Sequence, residues 1–167
     1  IHANGLSLAR KLVERLPNGW LTEIEPGLSY GEALLVPTPL YAPLLEGLWR
    51  ERITPHYCAN ITGHGWRKLL RHPATLGYRV HTLPPVPAVL RFIQQRSGMD
   101  DREAYGTLNM GAGFALYLPA TQAEAAVTVA RKLGFAALVA GAVEAGPKQL
   151  VIEPLGVTFD GDELALR

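Results

Sequence analysis

Leu8, Leu12 and Leu16 lie four residues apart with charged positions between them, and Pro17-Asn18-Gly19 interrupts the spacing. That repeat puts the leucines on one face of an amphipathic helix over residues 7–16. Asn4 or Ser7 is placed to accept hydrogen bonds from its first-turn N–H groups, which have no partner inside a helix. A short apolar segment, residues 30–35, ends at Pro37-Thr38-Pro39, and Leu40, Leu44, Leu45 and Leu48 predict a second helix over 40–52. Residues 56–62, bounded by Pro55 and Gly63, read as a mostly buried strand. A Gly-His-Gly turn leads from it into a short helix over 66–71, closed by Pro73. Residues 78–83 then alternate with strand period, and Val89, Ile93 and the stem of Arg96 recur at helical spacing after Pro84, Pro85 and Pro87.

Further along, the acidic pair Asp100-Asp101 precedes a short helix to about residue 109, and residues 113–118 form another apolar, strand-like run. Thr121 with Glu124 three residues on has the form of a capping box, which predicts a helix to Leu133 stopped by Gly134. Two strands are expected over 137–143 and 149–157, and Asp160-Gly161-Asp162 reads as a hairpin turn into 163–166. Helices and strands alternate without a strict βαβ repeat, and the short final connections favour antiparallel pairing. The expected fold is α+β, helices layered on a mixed sheet, in one domain over 1–167.

Composition supports a packed chain. Of 167 residues, 48% are hydrophobic and 19% charged, and a chain of this length buries roughly 70% of its unfolded surface. The net charge of +1 carries no sign excess that would point to nucleic acid or an anionic membrane. Cys58 is the sole cysteine, which excludes an intrachain disulfide and a CxxC pair and fits a reducing, cytoplasmic setting. No apolar run approaches the length of a membrane span, and the first residues lack a signal-peptide pattern. The sequence starts at Ile1 without Met and is in a helix pattern within eight residues, as expected of a piece of a longer chain.

The stretch Asn60-Ile61-Thr62-Gly63-His64-Gly65-Trp66 carries the most chemistry. Glycines allow close backbone approach, and free N–H groups at a helix start favour phosphate or carboxylate. The plain alternative is that Gly63 and Gly65 only turn the chain between strand and helix. His64, between the glycines, can donate to a phosphate or move a proton. His56, His72 and His81 have no Cys, Asp or Glu at ligand spacing, so they read as structural and no metal ligand set is expected. Gly111-Ala112-Gly113 lacks the third glycine and the following helix of a dinucleotide fingerprint. Asp100-Asp101 reads as a solvated loop and Cys58 as an inert core thiol.

Ile1-His2-Ala3-Asn4-Gly5-Leu6-Ser7-Leu8-Ala9-Arg10 opens the chain. Gly31-Glu32-Ala33-Leu34-Leu35 is followed by Pro37-Thr38 and Tyr41, residues 60–65 read N-I-T-G-H-G, and residues 105–113 read Y-G-T-L-N-M-G-A-G. In this order they resemble the motifs G-I-H-S-N-G-x-S-L-x-R, G-E-A-L-L-x-P-T-R-x-Y, H-I-T-G-G-G and Y-R-T-F-N-x-G-x-G. Those belong to the C-terminal domain of aminoimidazole ribonucleotide synthetase (phosphoribosylformylglycinamidine cyclo-ligase) and its ATP-binding superfamily. The resemblance covers nearly the whole chain.

The resemblance implies the C-terminal half of a two-domain enzyme of purine biosynthesis, not expected to turn over alone. Its N-terminal half would supply most of the ATP and Mg site and the contact of a homodimer. The domain would close over a cleft and help hold formylglycinamidine ribonucleotide while ATP activates the amide oxygen for closure to an imidazole. Carried onto this sequence, it makes Asn60 and His64 the catalytic candidates. His2, Asn4, Ser7, Thr62, Gly63, Gly65 and Asn109 become the candidates for binding the ribonucleotide or a phosphate. Four positions depart from the pattern: Asn60 stands for His, His64 for Gly, Pro39 for a basic residue and Gly106 for Arg. Two alternatives stay open, a divergent relative acting on another small phosphorylated substrate and a non-catalytic domain for assembly or ligand sensing.

Overall fold

The computed structural model describes residues 1–2 and 5–164. Six α-helices and eight strands follow in chain order: α1 Leu6–Val13, β1 Glu23–Glu25, β2 Leu28–Ser29, α2 Tyr30–Leu34, α3 Ala42–Arg50, β3 Tyr57–Asn60 and β4 Leu76–Val80. After these come α4 Ala88–Ser97, α5 Asp101–Thr107, β5 Phe114–Tyr117, α6 Ala123–Lys132, β6 Gly141–Ala145, β7 Gln149–Ile152 and β8 Val157–Asp160. The α+β expectation holds, with a mixed four-stranded sheet in the order β6-β4-β7-β8. In it β4 runs antiparallel to β6 and parallel to β7.

A separate antiparallel ribbon, β3 with β5, pairs Tyr57 with Tyr117 and Asn60 with Phe114. Period-two alternation lets this ribbon serve two cores. Ala115 and Tyr117 pack against the main core, which joins α1, α2, α4, α5 and the four-stranded sheet around Trp66, Leu90, Ile93 and Leu150. Phe114 and Leu116 face a smaller core between α3 and α6, formed by Leu44, Leu48, Ile53, Ala126 and Ala130.

Several boundaries differ from the sequence expectation for identifiable reasons. Gly5, in a left-handed conformation, occupies the N-cap of α1 without a side-chain cap, and Ser7 is exposed in the first turn. Asn4 lies outside the described residues. Leu40 stays outside α3 and exposed, because the helix starts at Ala42 with Pro43 in its first turn. Thr121 falls inside a 3-10 turn, Ala120–Gln122, so Gln122 becomes the N-cap of α6 and the Thr121–Glu124 box does not form. Capping boxes form instead at Ser29 with Glu32 and at Asp100 with Glu103, which gives Asp100 a structural task.

The expected strand over 149–157 is broken by the 3-10 turn Glu153–Leu155 and by Gly156 at φ +63°, giving β7 and β8 as an antiparallel pair. β4 begins and ends earlier than expected, with His81 and Thr82 both donating to the Ala140 carbonyl at its end. β6 begins later than expected. Although a short link joins β6 to β7, β4 lies between them. Residues 161–164 form a 3-10 turn in place of a hairpin, and residues 165–166 of the expected last strand lie outside the described residues.

Candidate functional site

The turn after β3 delivers the chain into a 3-10 helix, Gly65–Arg71. Its inward side is fixed by buried Trp66, Leu69 and Leu70. At three residues per turn, positions three apart line up on one side, so Lys68 and Arg71 project together. They form one wall of a cleft of about 310 Å³, and Tyr57, Cys58, Ala59, Asn60 and Thr62 form the rest. β3 pairs with β5 on one edge only, and its other edge borders this cleft. Two cations, a hydroxyl and a carboxamide on one concavity match a small polyanion, since hydrogen bonds to charged groups are the stronger ones. Cys58 is half-buried on the wall, and its burial pushes the thiol up, away from thiolate chemistry.

His64 stands at the start of the same 3-10 helix. Burial first, then Lys68, Arg67 and Arg71, lower its pKa below the usual imidazole value, so at neutral pH it is an uncharged donor and acceptor. Three cations thus lie near enough to repel a proton from it. Arg67 is committed to the fold: Nε donates to the Gly106 carbonyl at 3.0 Å and Nη1 to the Glu163 carbonyl at 3.2 Å. Arg102 holds the same Glu163 through both carboxylate oxygens at 2.7 Å. These bonds anchor the 3-10 helix to α5 and to the segment after β8, and so fix the wall that carries Lys68 and Arg71.

Next to the cleft, residues from all four motif stretches meet, the third through the backbone N–H of Ile61. Trp66 Nε1 donates to the Asn109 carbonyl at 2.8 Å, and Asn109 Nδ2 donates to the Ile1 carbonyl at 3.4 Å while its Oδ1 accepts from Gly111 N–H at 3.1 Å. His2 Nε2 lies 3.4 Å from the Tyr41 hydroxyl. The His2 ring and that hydroxyl fill the space where a side chain at position 113 would stand, which requires Gly113. Ile61 N–H donates to the Gly113 carbonyl at 2.9 Å and ties this cluster to the end of β3. His2 and Met110 both have positive φ, 56° and 43°, conformations rare outside glycine.

The sequence candidates therefore separate. Asn60 and Thr62 line the cleft, while Gly63 is exposed and His64, which is not among the lining residues, stands in the turn at the start of the 3-10 helix. His2 and Asn109 lie in the adjoining cluster, where the Asn109 side chain is buried and used in holding the first residues. Gly65 is buried with φ +52°, and a Cβ there would overlap the Tyr105 carbonyl, so packing against α5 accounts for it. Ser7 is on the exposed side of α1. Lys68, Arg71 and Tyr57 were missed. Part of their signal was present, because two cations three apart share a face in any short helix and eclipse in a 3-10 helix, but nothing local shows that this face meets the edge of β3.

Over 149 residues the chain is 35% identical to a protein of Methanococcus maripaludis named phosphoribosylformylglycinamidine cyclo-ligase, a match covering 86% of this chain and 41% of that protein. The chain is a relative of the cyclo-ligases. A Methanocaldococcus jannaschii protein of the same name is 36% identical over 148 residues, 86% of this chain and 41% of its own length. A Synechococcus cyclo-ligase is 32% identical over 152 residues, 87% and 44% respectively. The chain thus spans about two-fifths of the length of these curated relatives. No family model matches it.

In this cyclo-ligase relative the cleft chemistry suits phosphate better than a metal. Among the described residues no three His, Cys, Asp or Glu side chains are grouped to hold a metal ion, and no helix is long and apolar enough to cross a membrane.

Proposed function

We propose that this chain is the substrate-binding part of an ATP-dependent cyclo-ligase that converts formylglycinamidine ribonucleotide to aminoimidazole ribonucleotide. Its cleft holds a phosphate of the ribonucleotide or of ATP. The observation that carries the reading is the convergence of Lys68 and Arg71 on Asn60 and Thr62, next to the point where the four cyclo-ligase-like stretches meet. In this reading Lys68 and Arg71 replace water and counterions around the phosphate, Thr62 and Asn60 orient it, and neutral His64 reaches from the adjoining turn to donate to it or pass a proton. ATP and its magnesium ion are held mainly by the part of the relatives' length that this chain does not span, and the full-length protein works as a homodimer.

The test is ADP release by the full-length protein with ATP, with and without formylglycinamidine ribonucleotide, alongside detection of the imidazole product. Ribonucleotide-dependent ADP release is the expected result. Lys68→Ala should raise the ribonucleotide KM by about 10- to 100-fold with kcat little changed, the signature of lost ground-state binding, given about 1.5–3 kcal/mol for a charged hydrogen bond. No turnover from a folded, ATP-binding protein would overturn the reading. The departures at Asn60, His64, Pro39 and Gly106 favour a second reading in that event, a relative using another small phosphorylated substrate in the same cleft.

A further inference from the structure

In an antiparallel ladder, residues that bond across to the partner alternate with residues whose backbone groups point the other way. The register of β3 with β5 pairs Ala59 with Ala115 and Cys58 with Leu116, and the bond from Ile61 N–H to the Gly113 carbonyl at 2.9 Å fixes the phase. Tyr57, Ala59 and Ile61 therefore bond β5, while Cys58 and Asn60 turn both N–H and C=O to the free edge that borders the cleft. Among the described residues no protein group bonds to these four. The cleft thus carries a second kind of chemistry beside Lys68 and Arg71. Cations answer a phosphate, but the carbonyls of Cys58 and Asn60 repel one and require a ligand that brings its own N–H donors.

β3 has four residues, of which only Cys58 and Asn60 face outward, too short an edge to template an added peptide strand. A cleft of about 310 Å³ is instead the size of a small-molecule site. We propose that the Cys58 edge recognises an N-acylglycinamide or N-acylglycinamidine arm on a phosphorylated ligand, pairing with it as a strand residue pairs with a parallel neighbour. Such an arm is a one-residue peptide. Its acyl oxygen accepts from the Cys58 N–H, and the amide or amidine nitrogen beyond its CH2 donates to the Cys58 carbonyl, the two contacts that a parallel strand makes to a single residue. Asn60 and Thr62 then remain for the phosphate, with Asn60 two strand positions, roughly 7 Å, from Cys58. The inference rests on the cyclo-ligase reading, whose ribonucleotide carries this arm, and adds to it the group that selects the arm over other phosphorylated sugars.

The experiment is amide hydrogen exchange at Cys58 in the full-length protein without ATP, with formylglycinamidine ribonucleotide and with its deformylated analogue at the same concentration. The formylated ligand should slow exchange of the Cys58 N–H by about tenfold or more, and the analogue should leave it near the ligand-free rate. Cys58→Pro deletes that N–H yet spares the bonds of Tyr57, Ala59 and Ile61 to β5. It should weaken binding of the formylated ligand by about 2- to 10-fold, the range of one neutral hydrogen bond, and should abolish the preference over the analogue, which Cys58→Ala keeps. Equal slowing by both ligands, or none by either, would overturn the proposal. Ribonucleotide-dependent ADP release on the same preparation, once ATP is added, separates the two readings. Release without slowing at Cys58 removes the arm contact alone, and slowing without release removes the catalytic reading alone.

Discussion

Gly65→Ala tests whether the turn beneath the cleft is built by packing. Gly65 has φ +52°, and an added Cβ would overlap the Tyr105 carbonyl oxygen and lie 2.8 Å from Gly106 C and Thr107 N. Every one of these atoms is backbone of α5, so relief requires the helix or the turn to move. Gly98 is the control: it has φ +73°, and a Cβ there meets nothing within 4 Å. Left-handed backbone costs an L-residue roughly 1–2 kcal/mol, partly offset by the lower unfolded-state entropy of alanine, which leaves about 1 kcal/mol for Gly98→Ala. Gly65→Ala adds about 1–3 kcal/mol of overpacking, for a total of about 3 kcal/mol. With a urea m-value of about 2 kcal/mol/M, the unfolding midpoint should fall by about 0.5 M for Gly98→Ala and about 1.5 M for Gly65→Ala. Fluorescence of Trp66, buried against Asn109, follows the transition next to the mutated turn. Equal midpoint shifts for the two variants would refute the collision, and an unaffected Gly65→Ala would refute the packing account entirely.

Arg71→Ala should weaken inorganic phosphate binding by about tenfold or more in titration calorimetry, the effect of one lost charge-assisted contact, while Arg50→Ala, on the exposed side of α3, should leave it unchanged. An anion in the cleft offsets the charges of Lys68, Arg67 and Arg71 that help hold His64 below its usual value of 6.5, so binding takes up a proton there. Sulfate, whose charge is constant over the range, should therefore bind more tightly as pH falls below about 6.5, and His64→Gln should flatten that dependence. Asn109→Ala leaves the Gly111 N–H and the Ile1 carbonyl without their partner and should cost about 1–3 kcal/mol in thermal or urea unfolding; an unchanged midpoint would show that water replaces the amide.

Local patterns in the sequence determined much of the secondary structure. The four-residue leucine spacing gave α1, the Val89–Ile93 spacing gave α4, and the apolar runs around Ala59 and Ala115 gave β3 and β5, because each reflects which side of a short element must leave water. The four motif stretches also identified the relatives, and the turn at residues 60–65 pointed to the cleft. Only the tertiary structure decided partners. Strand order is set by which edges meet in space, so nothing local places β4 between β6 and β7 despite their short link. Cap identity at α6 depended on whether Ala120–Gln122 closed a 3-10 turn, a difference of one hydrogen bond that a Thr-x-x-Glu spacing does not encode. Lys68 and Arg71 became a pair when 3-10 winding eclipsed them and buried Trp66, Leu69 and Leu70 turned them toward the strand edge. Asn109, set apart by its motif, is joined to Ile1 across 108 positions, a contact that exists only because the folded core brings the first residues beside the segment that follows α5, where Trp66 also bonds the Asn109 carbonyl.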